Sequence, residues 1–415
     1  MKKDKLPTES YKGVRDFYPE EQALLAYLAA TMRGVAERFG YVEYHASILE
    51  PSELYRAKGA ENSEMVSDQT YTFVDRGGRE VTLRPEMTPT LARMVAARRR
   101  ELGYPLRWFS IPNLFRYERS QRGRLREHWQ LNVDIFGSRS AYADAEIIQV
   151  AHALLTAFGA QESDFTIKLG SRNFLDSVAK ELHLSDDDAK KLRNLLDRRA
   201  KISEDEFTRD INDIGVAIEM LSPEKVPADV KEVLGILTAA GITNAVFDPS
   251  IVRGFDYYTG VVFEIFDTHP DNSRAMLGGG RYDNLTQLFD EEPLPGAGFG
   301  MGDVTLKDFL AVRGMLPEYA PATKVYIAVA TKELLPQASE LAQLLRKENV
   351  AVAIDFGERK LGDQIKMAVK HRVPYVLIVG EDEIASNAYT VRDLATGEEQ
   401  KFSREELASY FLNLT

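Results

Sequence analysis

Residues 115–136, FRYERSQRGRLREHWQLNVDIF, constrain this chain more than any other stretch, because they read as a β-hairpin with two chemically different surfaces. Side chains on a strand alternate between faces, so parity sorts them. After the turn at Gly123 the odd positions are Leu125, Glu127, Trp129, Leu131, Val133 and Ile135, nearly all apolar. The even positions are Arg124, Arg126, His128, Gln130, Asn132 and Asp134. One face packs; the other is dense in donors and charges. Before the turn Arg116 and Glu118 share a face, so the hairpin directs arginines, a glutamate, a glutamine and an aspartate at one small volume. The bland alternative is an amphipathic hairpin whose polar side meets water. The arginines at 116, 119, 122, 124 and 126 weigh against it, since their repulsion is tolerable mainly where a polyanion is expected. Guanidinium forks match phosphate oxygens, so a nucleoside triphosphate or an RNA backbone would satisfy the site.

Other segments carry weaker signals. In VRGFDYYTG, 252–260, Arg253 precedes Tyr257 and Tyr258, and glycines permit turns or close approach; an interior strand with satisfied hydroxyls explains it as well. LRPEMT, 83–88, reads as a strand stopped by proline and leading into a helix over 91–100, with Thr88 as its cap and Glu86 at the strand end. The glycine clusters at 278–280 and 296–302 lack the lysine of a phosphate-binding loop and the spacing of a dinucleotide fingerprint, and suit tight packing around a ligand. The six histidines are scattered, so no side-chain metal cage is expected. With no cysteine there is no disulfide framework, thiolate metal site or cysteine nucleophile. The start of the chain shows no secretory pattern, and no apolar run approaches the ~20 residues needed to cross a bilayer.

The organisation predicted is α+β. A helix over 20–40 precedes a strand-rich region over 41–136, and a second helix covers 141–159. Short charged helices then form an insertion. Strand character returns at 245–247 and 251–266, with a helix at 304–313. After a linker at 314–323, strands at 325–330, 350–356, 375–379 and 389–393 alternate with helices at 333–348 and 361–370, the pattern of an α/β unit with a largely parallel sheet. The boundaries expected are 1–170 and 241–318 for two parts of a mostly antiparallel catalytic body, 171–240 for the helical insertion, and 324–415 for the α/β domain.

Taken together, GVRDFYP at 13–19, TYTFVDRGG and LRPEMTP at 70–89, the hairpin, VRGFDYYTGVVFE at 252–264, GGGRYDNL at 278–285 and GAGFGMG at 296–302 resemble the class II aminoacyl-tRNA synthetases, within them the histidyl-tRNA synthetase family. The resemblance implies a class II antiparallel-sheet core, a C-terminal anticodon-binding domain, ATP with Mg²⁺, L-histidine and tRNA(His) as partners, and a cytoplasmic homodimer with no membrane association. It implies that Arg116 and Arg253 hold the α-phosphate and so are catalytic, and that Arg124 meets the γ-phosphate. Glu118 and His128 would lie at the adenine. Glu86, Thr88 and Gln130 would receive the ammonium group of the amino acid, with Met87, Arg116 and Arg253 also lining the histidine site, while Asp134 and Tyr258, with Tyr257 adjacent, read the imidazole. Thr305 stands where the family carries an arginine, and Ser47 where it carries a proline. The competing possibilities are a non-catalytic regulatory subunit of ATP phosphoribosyltransferase built on the same fold, opposed by Arg116, Arg253 and the trailing α/β domain, and a class II enzyme for another amino acid. Finally, 52 basic against 64 acidic residues give a net charge of −12, yet Arg98–Arg100, the hairpin, and Arg359, Lys360, Lys366, Lys370 and Arg372 are local basic features. RNA association is therefore expected to be local and salt-sensitive.

Overall fold

The computed structural model of the chain describes residues 6–57, 69–119, 123–199, 202–252, 257–272, 274–357 and 359–414. Two compact units divide at Pro317/Glu318.

The centre of the first unit is a nine-stranded sheet among the described residues. It runs in the order Val42–Glu43, Leu106–Ser110, Glu127–Phe136, Gly296–Gly302, Ala275–Tyr282, Val261–Asp267, Phe165–Ser171 and Ala245–Phe247, with Asn113–Phe115 also paired to Glu127–Phe136. The two outermost pairs are parallel. Every interior pair is antiparallel. Strand Glu127–Phe136 is therefore interior, and its parity is expressed as two different cores. Leu131, Val133 and Ile135 join the main core with Ile147, Ile148 and Leu154 of helix Ala141–Ala157. On the opposite face Phe136 joins Leu91, Val95, Tyr257, Tyr258 and Tyr282. The polar even positions thus open onto a second, partly aromatic core rather than onto bulk water.

Helix starts follow local chemistry. Ser140, Ser171, Ser185 and Ser203 each accept a backbone N–H of the first turn they precede. Acidic triplets at Asp186–Asp188 and Glu204–Glu206 meet the positive ends of their helices. Three of these helices, Arg172–Glu181, Asp186–Asp197 and Glu204–Asp213, share a small core of Leu175, Val178, Leu192, Leu195, Phe207 and Ile211. Helix Ala228–Ala239 lies within the same 171–240 stretch but buries Val230, Val233 and Leu237 in the main core. Its apolar face belongs with the sheet.

Several expectations are corrected. The helix after Pro85 runs Thr88–Ala97, so Thr88 is its first residue and Met87 takes the capping position without a side-chain bond. The strand expected over 251–266 begins only at Val261. Ile251 and Val252 are buried without strand pairing, while residues 253–256 lie outside the described residues. Helix Asp303–Val312 starts where the glycine-rich strand ends.

In the second unit the strand order is Val352–Ile354, Val325–Val329, Tyr375–Val379, Tyr389–Asp393, Glu399–Phe402. The first three are parallel and the last two antiparallel. Helices Leu335–Lys347 and Leu361–Lys370 provide the crossovers. Two further helices, Glu381–Ser386 and Arg404–Leu412, and the edge strand Glu399–Phe402 were not expected from the sequence.

Candidate active site

The even face of strand Glu127–Phe136 organises the site. At ~3.3 Å per residue, Asp134 and His128 lie about 20 Å apart along it, so one strand carries a buried acid at one end and the cation-rich turn at the other.

At the acid end, Asp134 is 3% exposed. Its carboxyl oxygen accepts the Tyr282 hydroxyl. Burial pushes its pKa up to about 7, and the Tyr282 bond moderates the rise. The neighbouring glycine strand makes room for it. Residue 298 is opposite Asp134 in register, and a methyl group on Gly298 would fall 2.1 Å from Asp134 Oδ1. Gly300 does the same for Gln130, whose amide would be 2.9 Å from such a methyl. These glycines permit long polar side chains to lie across an adjacent strand. The aromatic wall follows: the rings of Tyr257 and Tyr258 are 4.8 Å apart, and Tyr257 and Tyr282 are 5.9 Å apart. Tyr257 donates its hydroxyl to Glu86 Oε2 at 3.2 Å. Glu86 and Met87 are 4% and 1% exposed. Asp134, Glu86, Met87, Tyr257 and Tyr258 are thus brought to one pocket wall, with Thr88 half-buried at the start of the adjoining helix.

At the middle, Arg116 donates Nε to Pro85 O at 2.9 Å, which fixes its guanidinium between the hairpin and the segment carrying Glu86. His128 is driven down to about 3, first by burial and then by the charges of Arg116 and Arg15. It is a neutral ring at any physiological pH. Arg15 in turn bonds Asp303 at 2.7 Å, and Asp303 accepts Trp129 N–H at 2.9 Å, so the GVRDFYP segment, the hairpin and helix Asp303–Val312 are tied together.

At the turn end Arg124 donates to Glu118 at 3.0 Å. One other hairpin arginine, Arg126, serves the structure. Arg126 stacks over Tyr117 at 4.0 Å and donates to Glu118 O, and Arg122 lies outside the described residues. So does Arg253, expected as the second catalytic arginine. Away from the hairpin, Arg99 donates to the carbonyls of Glu292 and Pro293, so part of the Arg98–Arg100 feature is structural.

Sequence reasoning missed three supporting residues. Tyr282 lies inside GGGRYD, a segment whose sequence signal is its run of glycines. Arg84, 2% exposed, donates to Ala46 O at 2.7 Å and Asn113 O at 3.0 Å, bolting the LRPEM segment to two neighbours. Asp303 follows the glycine strand directly. Arg84 and Asp303 each stand directly after a strand, and that position is the signal the sequence offers. Among the described residues no group of three or more His, Asp or Glu side chains is placed to hold a metal ion, and no helix is long and apolar enough to cross a membrane.

An antiparallel sheet that carries a hairpin of arginines on one face, beside a glycine-rich strand leading into a helix, with an α/β unit following, defines a class II aminoacyl-tRNA synthetase fold. The model of the family described as histidyl-tRNA synthetase matches residues 13–217 and 216–306, and that of the anticodon binding domain matches 324–414. The chain belongs to the histidyl-tRNA synthetase family. It is 44% identical to the histidine–tRNA ligase of Leptospira biflexa, with 98% of each chain covered, and 36% identical to that of Thermoplasma volcanium, with 97% and 98% covered. The solved histidyl-tRNA synthetase from Nostoc sp. PCC 7120 has the same fold, with a TM-score of 0.82 at 23% identity, covering 99% of this chain and 100% of that one.

Proposed function

We propose that this chain is a histidine–tRNA ligase, which joins L-histidine to ATP as histidyl-adenylate and transfers it to the 3′ end of tRNA(His). The observation that carries the reading is a strand whose polar face ends in a buried acid in a tyrosine pocket and which follows directly on the arginines of the hairpin turn, in a chain whose full-length relatives bear that name. Histidine's carboxylate is already an anion and needs no strong base. It attacks the α-phosphorus, forming an O–P bond while the bond to the bridging oxygen breaks and pyrophosphate leaves. The terminal ribose hydroxyl of tRNA then attacks the activated carbonyl and AMP leaves.

The first step requires positive charge where negative charge builds on phosphorus. Arg116 and Arg253 serve the α-phosphate. The plane of Arg116 is set in advance by its bond to Pro85 O, which suits electrostatic preorganisation. Neutral His128 and Glu118 serve the adenine, and Arg124 the γ-phosphate. Because Arg124 touches Glu118, both roles hold only if the triphosphate folds back toward the base. Glu86, Thr88 and Gln130 take the ammonium group of the amino acid, and Met87 lines the same site. Asp134, Tyr257 and Tyr258 read the imidazole, and a ligand without ring N–H groups would forgo a hydrogen bond to a buried acid that Tyr282 satisfies only in part, a penalty of order 10⁴-fold in favourable cases. Magnesium would arrive on the nucleotide and neutralise its phosphates.

The reading places the chain in the cytoplasm as a homodimer, with exposed Arg359, Lys360, Lys366, Lys370 and Arg372 of the second unit meeting the tRNA. The regulatory-subunit alternative is less supported, since the anticodon-binding match and Arg116 have no use in it. A charging assay tests the proposal. With ATP, Mg²⁺ and labelled histidine, transfer to tRNA should yield an alkali-labile ester, and Arg116→Ala or Arg253→Ala should abolish it. Failure of the native chain to charge any tRNA overturns the reading.

A further inference from the structure

Arg274 stands at the turn end of the site, beside the hairpin arginines. It immediately precedes strand Ala275–Tyr282, whose partner Gly296–Gly302 runs into helix Asp303–Val312. Residues 274 and 305 are therefore neighbours across two elements. The Thr305 hydroxyl donates to Met276 O at 2.9 Å and approaches Gly302 O at 3.3 Å, so it is turned back on its own backbone. Only its methyl group faces the hairpin. A methyl built on Gly123 would lie 3.5 Å from Thr305 Cγ2 and 3.8 Å from Arg274 Cδ, which puts the Arg274 stem directly against the hairpin turn.

The charges there do not balance. Arg124 is 48% exposed at its side chain and bonded to Glu118, which is 10% exposed. Arg274 is open to solvent and forms no ion pair within 4 Å among the described residues. The protein packed around it lowers its pKa, and Arg124 lowers it further, against Glu118. Two guanidiniums and one carboxylate leave a net positive charge facing solvent. Arginines are held together in this way at little benefit to the free fold, and an anion of high charge relieves the repulsion by accepting from both forks.

We propose that Arg274, with Arg124, binds the terminal phosphates of the nucleotide, making it a binding residue for the polyphosphate that supplies the charge Thr305 does not. This rests on the reading of ATP as substrate. The same charge would also suit phosphates of an RNA strand, and the test separates the two sources.

Equilibrium binding of ATP, AMP and tRNA to the full-length chain is measured by titration calorimetry and filter binding, with histidine-dependent ATP–pyrophosphate exchange in parallel. Arg274→Ala should weaken ATP about tenfold or more, the effect of removing one charge-assisted hydrogen bond. AMP and tRNA affinities and the KM for histidine should stay within about twofold of native, the spread expected for groups the side chain does not touch. Arg274→Lys should recover part of the ATP affinity. Thr305→Arg in the Arg274→Ala background should recover more, because residue 305 opens on the same turn. Unchanged ATP affinity in Arg274→Ala overturns the proposal, as does an equal loss of AMP, which would place Arg274 at the nucleoside or the α-phosphate, or a selective loss of tRNA. Native ATP binding without exchange would instead sink the ligase reading and leave the Arg274 comparison standing.

Discussion

Asp134 carries the strongest residue-scale consequence. Its folded pKa, about 7, lies above the ordinary carboxylate value because it is buried. The neutral form is favoured in the fold, so its contribution to stability is complete below about pH 4 and is lost as pH rises through 7. Function runs the other way, since an ionised carboxylate is the better acceptor for an imidazole N–H. The KM for histidine should fall as pH rises through about 7, and Asp134→Asn should raise KM and remove that inflection, as read from pyrophosphate exchange between pH 5.5 and 9. A second test bears on the same carboxylate. Gly298→Ala would drive a methyl onto Asp134 Oδ1 and should raise the KM for histidine about tenfold or more, the scale of a single charged hydrogen bond, with the KM for ATP little changed. The identities at this end were legible because parity alone put Asp134, Gln130 and His128 on one face. The Tyr282 bond was not, because nothing in the order of residues says which strand lies beside which.

Elements hold the site through a few buried ionic links. Arg281 donates to both oxygens of Asp144, at 2.9 and 2.8 Å, and to Ser138 O, joining the strand that carries Tyr282 to helix Ala141–Ala157. Both side chains are 9% exposed; burial raises Asp144 to about 6 against the pull of Arg281, whose own pKa, against its burial, is raised by Asp144 and Asp283. Such a pair is costly to break. Arg281→Ala should destabilise the chain by about 3–5 kcal/mol in urea unfolding at pH 7.5, and by less at pH 5, where Asp144 can protonate. Element prediction succeeded where periodicity was clear. Helix Leu361–Lys370 and strand Tyr375–Val379 fall where expected. It failed for the end of the chain. Strand Glu399–Phe402 is mostly exposed and charged, with no alternation to read. Helix Arg404–Leu412 did carry a signal, the reciprocal bonds of Ser403 and Glu406 at its start. The extent of the insertion was obscured for another reason: helix Ala228–Ala239 follows charged helices in sequence but packs on the sheet.

At the scale of the whole molecule, the net charge of −12 says little about RNA, because cations are gathered locally. Lys366, Lys370 and Arg372 are exposed on one helix of the second unit and the turn that ends it. Lys366→Glu with Lys370→Glu should lower kcat/KM for tRNA and flatten its salt dependence by about one unit of slope for each phosphate no longer neutralised, while exchange, which needs no tRNA, is unchanged. The two-unit organisation was readable from the proline-containing segment before 324 and the change to alternating strands and helices. On the proposed function, the tyrosine-lined acid pocket and the arginines at the start of the same strand activate histidine and no other amino acid. ATP–pyrophosphate exchange by the native chain, measured with each of the standard amino acids in turn, tests it most directly. Exchange should occur with histidine alone. Exchange with none of them, or preferentially with another amino acid, would rule out histidine activation at this site.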